Sequence, residues 1–291
     1  MSLRIAITAD LHWGHRTGAD AVRLLASYLH AEPPDVLVLA GDLGVGPAFD
    51  ECLRLFADLP CRKALVPGNH DIWVQADDPN GDSLKLYEVG LPGSSARFGF
   101  HYLDQGPLLL PDGVALVGSI NWYDYSWALD ELRRRFPLEE HRLRSMRFTR
   151  GRHNDANFVR WPLDNGQFTA RVVTTFERHL QAALATTDKA IVIAHHPPFH
   201  GLSFPQRESP LSLDALLWEG FSGNRAMEEV LARHASRIPF AFCGHTHRAR
   251  EAILGPIRGY NIGGDYGFKR LLVLTWPEGT VTAHQFGDEA N

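Results

Sequence analysis

The stretch "LRIAITADLH", residues 3–12, runs seven mostly apolar residues straight into Asp10 and His12. A short apolar, β-branched run of this kind reads as a buried strand. Helical periodicity follows at 20–31, then "DVLVLA" at 35–40, a helical stretch near 48–58 and "KALVPG" at 63–68. Strand, helix, strand, helix, strand within 66 residues predicts a parallel sheet with crossover helices, an α/β fold. In such a sheet ligands gather in the crevice outside the carboxyl ends of the strands. The residues that follow each strand therefore decide what the protein does.

They agree with one another. "RIAITA" ends in Asp10-Leu11-His12, "DVLVLAG" in Asp42, and "KALVPG" in Asn69-His70-Asp71. Further on, "AIVIA" (190–194) ends in His195-His196 and "PFAFCG" (239–244) in His245-Thr246-His247. Strands from distant parts of the chain thus deliver carboxylates, an amide and imidazoles to one place. A mixed oxygen and nitrogen donor set suits divalent Mn, Fe, Zn or Co. In D-x-H and H-x-H the two side chains would share one face of an extended backbone. Gly41, Gly68 and Gly244 each precede a candidate ligand, where a residue without Cβ permits a sharp turn and close approach. Any one of these pieces is an ordinary turn motif; the five together point to a metal site.

Between and after these motifs the pattern changes. Residues 97–119 read as short strands alone, a long helix fits 167–186, a Pro-rich loop follows 194, and a helix fits 223–235. The tail from 250 to 286 reads as three or four strands, and 71–83 as loop. Residues 121–165 form a polar, aromatic-rich insertion with nine Arg against seven Asp and Glu. With no internal repeat or linker, residues 1–291 read as one domain whose insertion at about 121–165 acts as a cap. Arg interleaved with Phe at 131–136 and 142–152 admits a nucleic-acid surface; pairing with Glu131, Glu139 and Glu140 on a solvated helix face is the preferred account.

A net charge of −5 argues against a protein held mainly by phosphate backbones. Three widely spaced cysteines without a C-x-x-C pair favour a reducing compartment. The N-terminal apolar run is too short for a secretion signal or membrane span, so a cytoplasmic protein without membrane contact is expected.

The motif set Asp10-Leu11-His12, Gly41-Asp42, Gly68-Asn69-His70-Asp71, His195 and Gly244-His245-Thr246-His247 resembles that of the calcineurin-like metallophosphoesterases. The resemblance spans roughly residues 3–275. It implies a four-layer α-β-β-α sandwich of two mixed β-sheets flanked by helices. It also implies two divalent metal ions bridged by Asp42, with Asp10, His12 and His247 completing one site and Asn69, His195 and His245 the other. His70 would stand beside the ions without ligating, assisting catalysis when protonated, and Asp71 would orient it or keep it charged.

The implied reaction is phosphoester hydrolysis by in-line attack of an activated hydroxide on a phosphomonoester or phosphodiester. Val45 replaces the tyrosine of purple acid phosphatases, and "GDLGVGP" lacks the continuation found in protein Ser/Thr phosphatases, so neither subclass is favoured. A small-molecule phosphoester is the expected partner. The alternatives are a nuclease, or a non-catalytic scaffold that would be expected to have lost ligands retained here. Position directly after the strand favours His195 over His196 as ligand, with His196 packing beside it. Arg248, His196 and His200 are candidates to touch substrate, although a solvated loop histidine is the preferred account of His15 and His200.

Overall fold

The computed structural model describes residues 2–75, 78, 81–204 and 209–288. Residues 76, 77, 79 and 80 of the stretch read as loop, and 205–208 of the Pro-rich loop, lie outside the described residues. Among the described residues, twelve strands form two mixed six-stranded sheets. They are β1 (Leu3–Thr8), β2 (Val36–Ala40), β3 (Arg62–Val66), β4 (Phe100–Tyr102), β5 (Leu108–Leu109), β6 (Val114–Ser119), β7 (Lys189–Ala194), β8 (Phe240–Cys243), β9 (Arg250–Leu254), β10 (Ile257–Asn261), β11 (Lys269–Trp276) and β12 (Thr280–Phe286).

The first sheet has the order β12-β11-β1-β2-β3-β4 and the second β5-β6-β7-β8-β10-β9. Within each, four neighbouring strands run parallel: β1 to β4 in one, β6, β7, β8 and β10 in the other. Every residue of β2 is buried, as a strand covered on both faces requires. One face of each sheet meets the other across Ile5, Ile7, Val38, Val66, Leu116, Ile193 and Phe242. The outer face of the first sheet packs its Leu37, Leu39 and Leu65 on the helices Ala19–Ala31 and Pro47–Arg54. The second packs Val117, Val192 and Ala241 on the helices Asn165–Leu184 and Arg225–His234. The layers are therefore helix, sheet, sheet, helix, and each fully buried Leu, Ile or Phe in them contributes about 1.5–3 kcal/mol. Asp164 starts the long helix with a capping box closed by Gln167.

Two helical regions were not read from the sequence. Residues 83–97 form a continuous run of short helical segments, and Leu213–Gly220 is a helix inside the region read as Pro-rich loop. Gly90, Pro92 and Gly93 mask the first, because breakers hide its periodicity; Pro92 sits at the start of the segment Leu91–Arg97, where its missing N–H costs nothing. The insertion is ordered by short helices, including Leu129–Arg135, His141–Ser145 and Asp155–Phe158. Its Trp122 and Tyr123 are completely buried and join Leu132, Leu143, Phe168 and Phe221 in the core around the first sheet. The insertion is packed into the body rather than laid upon it.

Candidate metal centre

Both sheets direct the carboxyl ends of their parallel strands to one edge, and the loops leaving them are tied together there. The backbone N–H groups of Asp10, His12 and Trp13 donate to the carbonyls of Gly41, Asp42 and Leu43 at 2.8–2.9 Å, pairing the loops after β1 and β2. Gly244 N–H donates to the His195 carbonyl, which joins the loops after β7 and β8. Across the sheets, His195 Nδ1–H donates to the Ala40 carbonyl at 3.0 Å, leaving Nε2 to face the site.

The extended D-x-H and H-x-H geometry expected from the sequence is not found. Asp10, His12, Asp42, His245 and His247 all have positive φ, between 45° and 70°. Each sits in the left-handed region that costs a residue with Cβ free energy, and five such residues at one place mark a functional constraint. The side chains converge because the backbone turns, not because it stays flat. Gly41, at φ +90°, lies against the His195 ring, and a Cβ on Gly68 would fall inside the Asp42 carboxylate.

Two groups of donors result. Asp10, His12, Asp42 and His247 bring one donor atom each within 4.8 Å of one another, as do His195, His196 and His245. Asn69 joins the second group, its Oδ1 lying 3.0 Å from His195 Nε2 and 3.3 Å from His245 Nδ1. Asp42 stands between them: Oδ1 is 3.3 Å from His195 Nε2, and Oδ2 is 3.8 Å from His12 Nε2. Burial would raise the Asp42 carboxyl, but His195, His70 and His12 more than offset it and hold it well below the usual range. Burial dominates at Asp10 and raises it, against His247 and His195. Although burial opposes the charged imidazole, Asp42 and Asp10 lift His195 to about 9.

The donor set fits divalent cations. Asp10 Oδ2, His196 Nε2 and His245 Nε2 are buried without hydrogen-bond partners, each a cost of about 1–3 kcal/mol in the absence of a compensating group. His12 Nε2 and His247 Nε2 face each other at 3.1 Å, a pair that can share only one proton but could both donate lone pairs to a cation. His247 Nδ1–H is taken up by Asp265 Oδ1 at 3.1 Å, which turns Nε2 inward.

Several residues have places the sequence reading did not give them. Asp71, read as a partner of His70, accepts the backbone N–H groups of Leu43, Gly44 and Gly68 at 2.7–2.9 Å, so it clamps the loops after β2 and β3. His70 instead stacks on Trp73 at 3.6 Å, donates its backbone N–H to Asp42 Oδ1 and holds Nε2 3.8 Å from Asp42 Oδ2. Burial lowers the His70 imidazole below its ordinary range, despite Asp42 and Asp155. His196 is fully buried, 4.0 Å ring to ring from His245, and pulled down to about 3 by burial and His195. It lies behind the site, not where a substrate could reach it. His200 faces Glu219 Oε2 at 2.9 Å in a separate depression with Trp127 and Arg225. His15 is exposed and bonded to Thr17.

A cleft of about 700 Å³ opens over Asp42, Asn69, His70, His245 and His247. Its opposite wall is the insertion, through Phe148 and residues 150–154, with Arg248, Trp73, Trp218 and Tyr266 around the rim. Arg133, Arg134 and Arg142 of the insertion are tied to Glu140, Glu131 and Glu139. Sequence reasoning missed Asp265, Lys269 and Asp155. Lys269 is wholly buried and donates to the carbonyls of Asp10 and Asp265 at 2.8 and 2.7 Å. Asp155 accepts from Asn69 and Trp73, and no spacing in the sequence marks either contact.

Fold and site together are those of a metallophosphoesterase. The chain belongs to the calcineurin-like phosphoesterase family, whose model matches residues 3–249. It is similar to the phosphopantetheinyl hydrolase of Mycobacterium tuberculosis at 16% identity, over 90% of this chain and 89% of that one, with a TM-score of 0.68. A dimetal phosphatase from Danio rerio matches at 13% identity over 99% of both chains, with a TM-score of 0.59. At such identities these structures bear on the fold. No curated protein sequence matches the chain. Among the described residues no helix is long and apolar enough to cross a membrane.

Proposed function

We propose that the protein hydrolyses a small-molecule phosphomonoester or phosphodiester with two divalent ions. The observation that carries this reading is Asp42, whose two carboxylate oxygens face two separate donor groups. Asp10, His12, His247 and Asp42 Oδ2 would hold one ion; Asn69, His195, His245 and Asp42 Oδ1 the other. Mixed oxygen and nitrogen donors suit Mn, Fe or Zn. When bound, the pair supplies Lewis acidity, lowering the pKa of water and neutralising phosphoryl oxygens.

The chain's own residues do the rest. His70 faces the cleft and is backed by Trp73. An incoming phosphoryl anion offsets the burial that lowers it, so that a protonated His70 carries a proton to the leaving oxygen. Arg150, Arg152 and Arg248 line the same cleft and supply donors for further anionic groups of the substrate. The carboxylate pairing of Arg133, Arg134 and Arg142 reduces the basic face open to a nucleic acid, which favours a small molecule.

The test is turnover of p-nitrophenyl phosphate and its bis ester with Mn²⁺, compared with Asp42→Asn. Metal-dependent turnover that the variant loses supports the reading. An unimpaired variant, or no turnover across a phosphoester panel with Mn, Fe, Zn, Co and Mg, contradicts it.

A further inference from the structure

An asparagine is an ambiguous cation ligand. Its amide presents oxygen in one orientation and two N–H donors in the other, and only the first can face a cation. Asn69 is 3% exposed and surrounded by histidines, so something must choose. The chooser lies 86 residues away, in the insertion: Asp155 Oδ1 accepts Asn69 Nδ2–H at 2.8 Å. An ionised carboxylate accepts and never donates, so only the NH₂ end can face it. The amide oxygen is thereby directed at His195 Nε2 and His245 Nδ1.

The same carboxylate has further tasks. Oδ1 also accepts Trp73 Nε1–H at 2.7 Å, and the Trp73 ring is the one stacked on His70. Oδ2 accepts the Tyr123 hydroxyl at 2.9 Å, and the Asp155 backbone N–H reaches His153 Nδ1. Asp155 is 2% exposed, and Tyr123 is fully buried. Three donors from two segments, the turn around 69–73 and the insertion, converge on one buried acceptor.

We propose that Asp155 is the positioning residue that sets the Asn69 amide, making the second donor group, and the placement of Trp73 against His70, depend on the insertion. The insertion is then part of the metal centre as well as a wall of the cleft. The inference rests on the two-ion reading above, and its test separates the two.

The metal-free wild type, Asp155→Asn, Asp155→Leu and Asp155→Ala are titrated with Mn²⁺ by calorimetry, with a thermal melt of each variant before metal is added. The wild type takes two ions. Asp155→Leu, which keeps volume but has no acceptor, weakens one ion about 10–100-fold, the usual effect of removing a partner behind a metal ligand, and spares the other. Asp155→Ala gives the same deletion where Leu is not tolerated. Asp155→Asn keeps both ions within a few-fold, because its carbonyl can replace Oδ1 while its NH₂ donates to Tyr123 Oη. A Leu or Ala variant that binds both ions as the wild type does overturns the proposal, whatever its melting temperature. Equal weakening of both ions, or an Asn variant as impaired as Leu, also overturns it. A wild type that binds no Mn²⁺ contradicts the two-ion reading itself.

Discussion

The cleft has two walls built on different principles. On the strand-end wall each functional side chain sits one to four residues past a buried strand, and its direction is set by backbone: positive φ at Asp10, His12, Asp42, His245 and His247, and glycines where a Cβ would collide. On the insertion wall, side chains are set by other side chains: Asp155, just behind it, by Tyr123 and Trp73, and Phe148 by its contacts with Trp218 and Phe221. Backbone-determined geometry is rigid and written locally in short motifs. Side-chain-determined geometry is spread over the chain and adjusts more readily to substitution.

This difference orders the expected effects. The largest fall on the strand-end wall: Asp42→Asn replaces the carboxylate that faces both donor sets by an amide with a single oxygen, and is expected to lower metal-dependent kcat/KM by about a thousandfold or more, a loss of roughly 4 kcal/mol of transition-state stabilisation. A residual rate within tenfold of wild type would break the comparison. Gly68→Ala forces a Cβ into the Asp42 carboxylate. It is expected to destabilise the fold by about 1–3 kcal/mol and to reduce bound Mn²⁺, read by denaturant titration and metal analysis. On the insertion wall, Arg150→Ala and Arg152→Ala are expected to raise KM severalfold with kcat nearly unchanged, and more for substrates with a second anionic group. A fall in kcat with KM unchanged would move these arginines into the chemistry.

A control comes from a buried carboxylate away from the site. Asp104 accepts from Tyr87 Oη and Ile120 N–H at 2.8 Å each, leaves Oδ2 without a partner, and is raised by burial to about 6. Since its folded pKa lies above the unfolded value, the folded state holds the proton more tightly. Asp104 therefore contributes stability below about pH 4 that is lost as pH rises through about 6. Asp104→Asn keeps the Oδ1 acceptor and removes the charge, so its stability relative to wild type should improve by about 1–3 kcal/mol between pH 4 and pH 8. A pH-independent difference would show that the carboxyl titrates normally. The smallest effect is expected at Arg134→Ala: its partner Glu131 is on the surface, and the thermal midpoint should not move measurably.

The same contrast explains what was legible in the sequence. Strands β1, β2, β3, β7 and β8 could be read because each is an apolar run ended by a chemically distinct residue. The same rule brought Asp10, His12, Asp42, Asn69, His195, His245 and His247 to one place. It failed where chemistry is not local. Asp155 meets Asn69 across 86 residues, and Lys269 meets the Asp10 carbonyl across 259, distances at which spacing carries no information. Asp71 follows His70 directly, yet their side chains part because the 3₁₀ turn His70–Ile72 sends the carboxylate back to the loop N–H groups. The helices over 83–97 were hidden by Gly90, Pro92 and Gly93, whose local preference is outweighed by burial of Tyr87 and Leu91.

The central claim is that Asp42 stands between two ions. Anomalous diffraction from crystals equilibrated with Mn²⁺ tests it most directly. Two peaks are predicted, about 3.5–4 Å apart, one beside Asp10, His12 and His247 and one beside Asn69, His195 and His245, each within bonding distance of an Asp42 oxygen. A single peak, or two peaks that leave Asp42 uncoordinated, would contradict it.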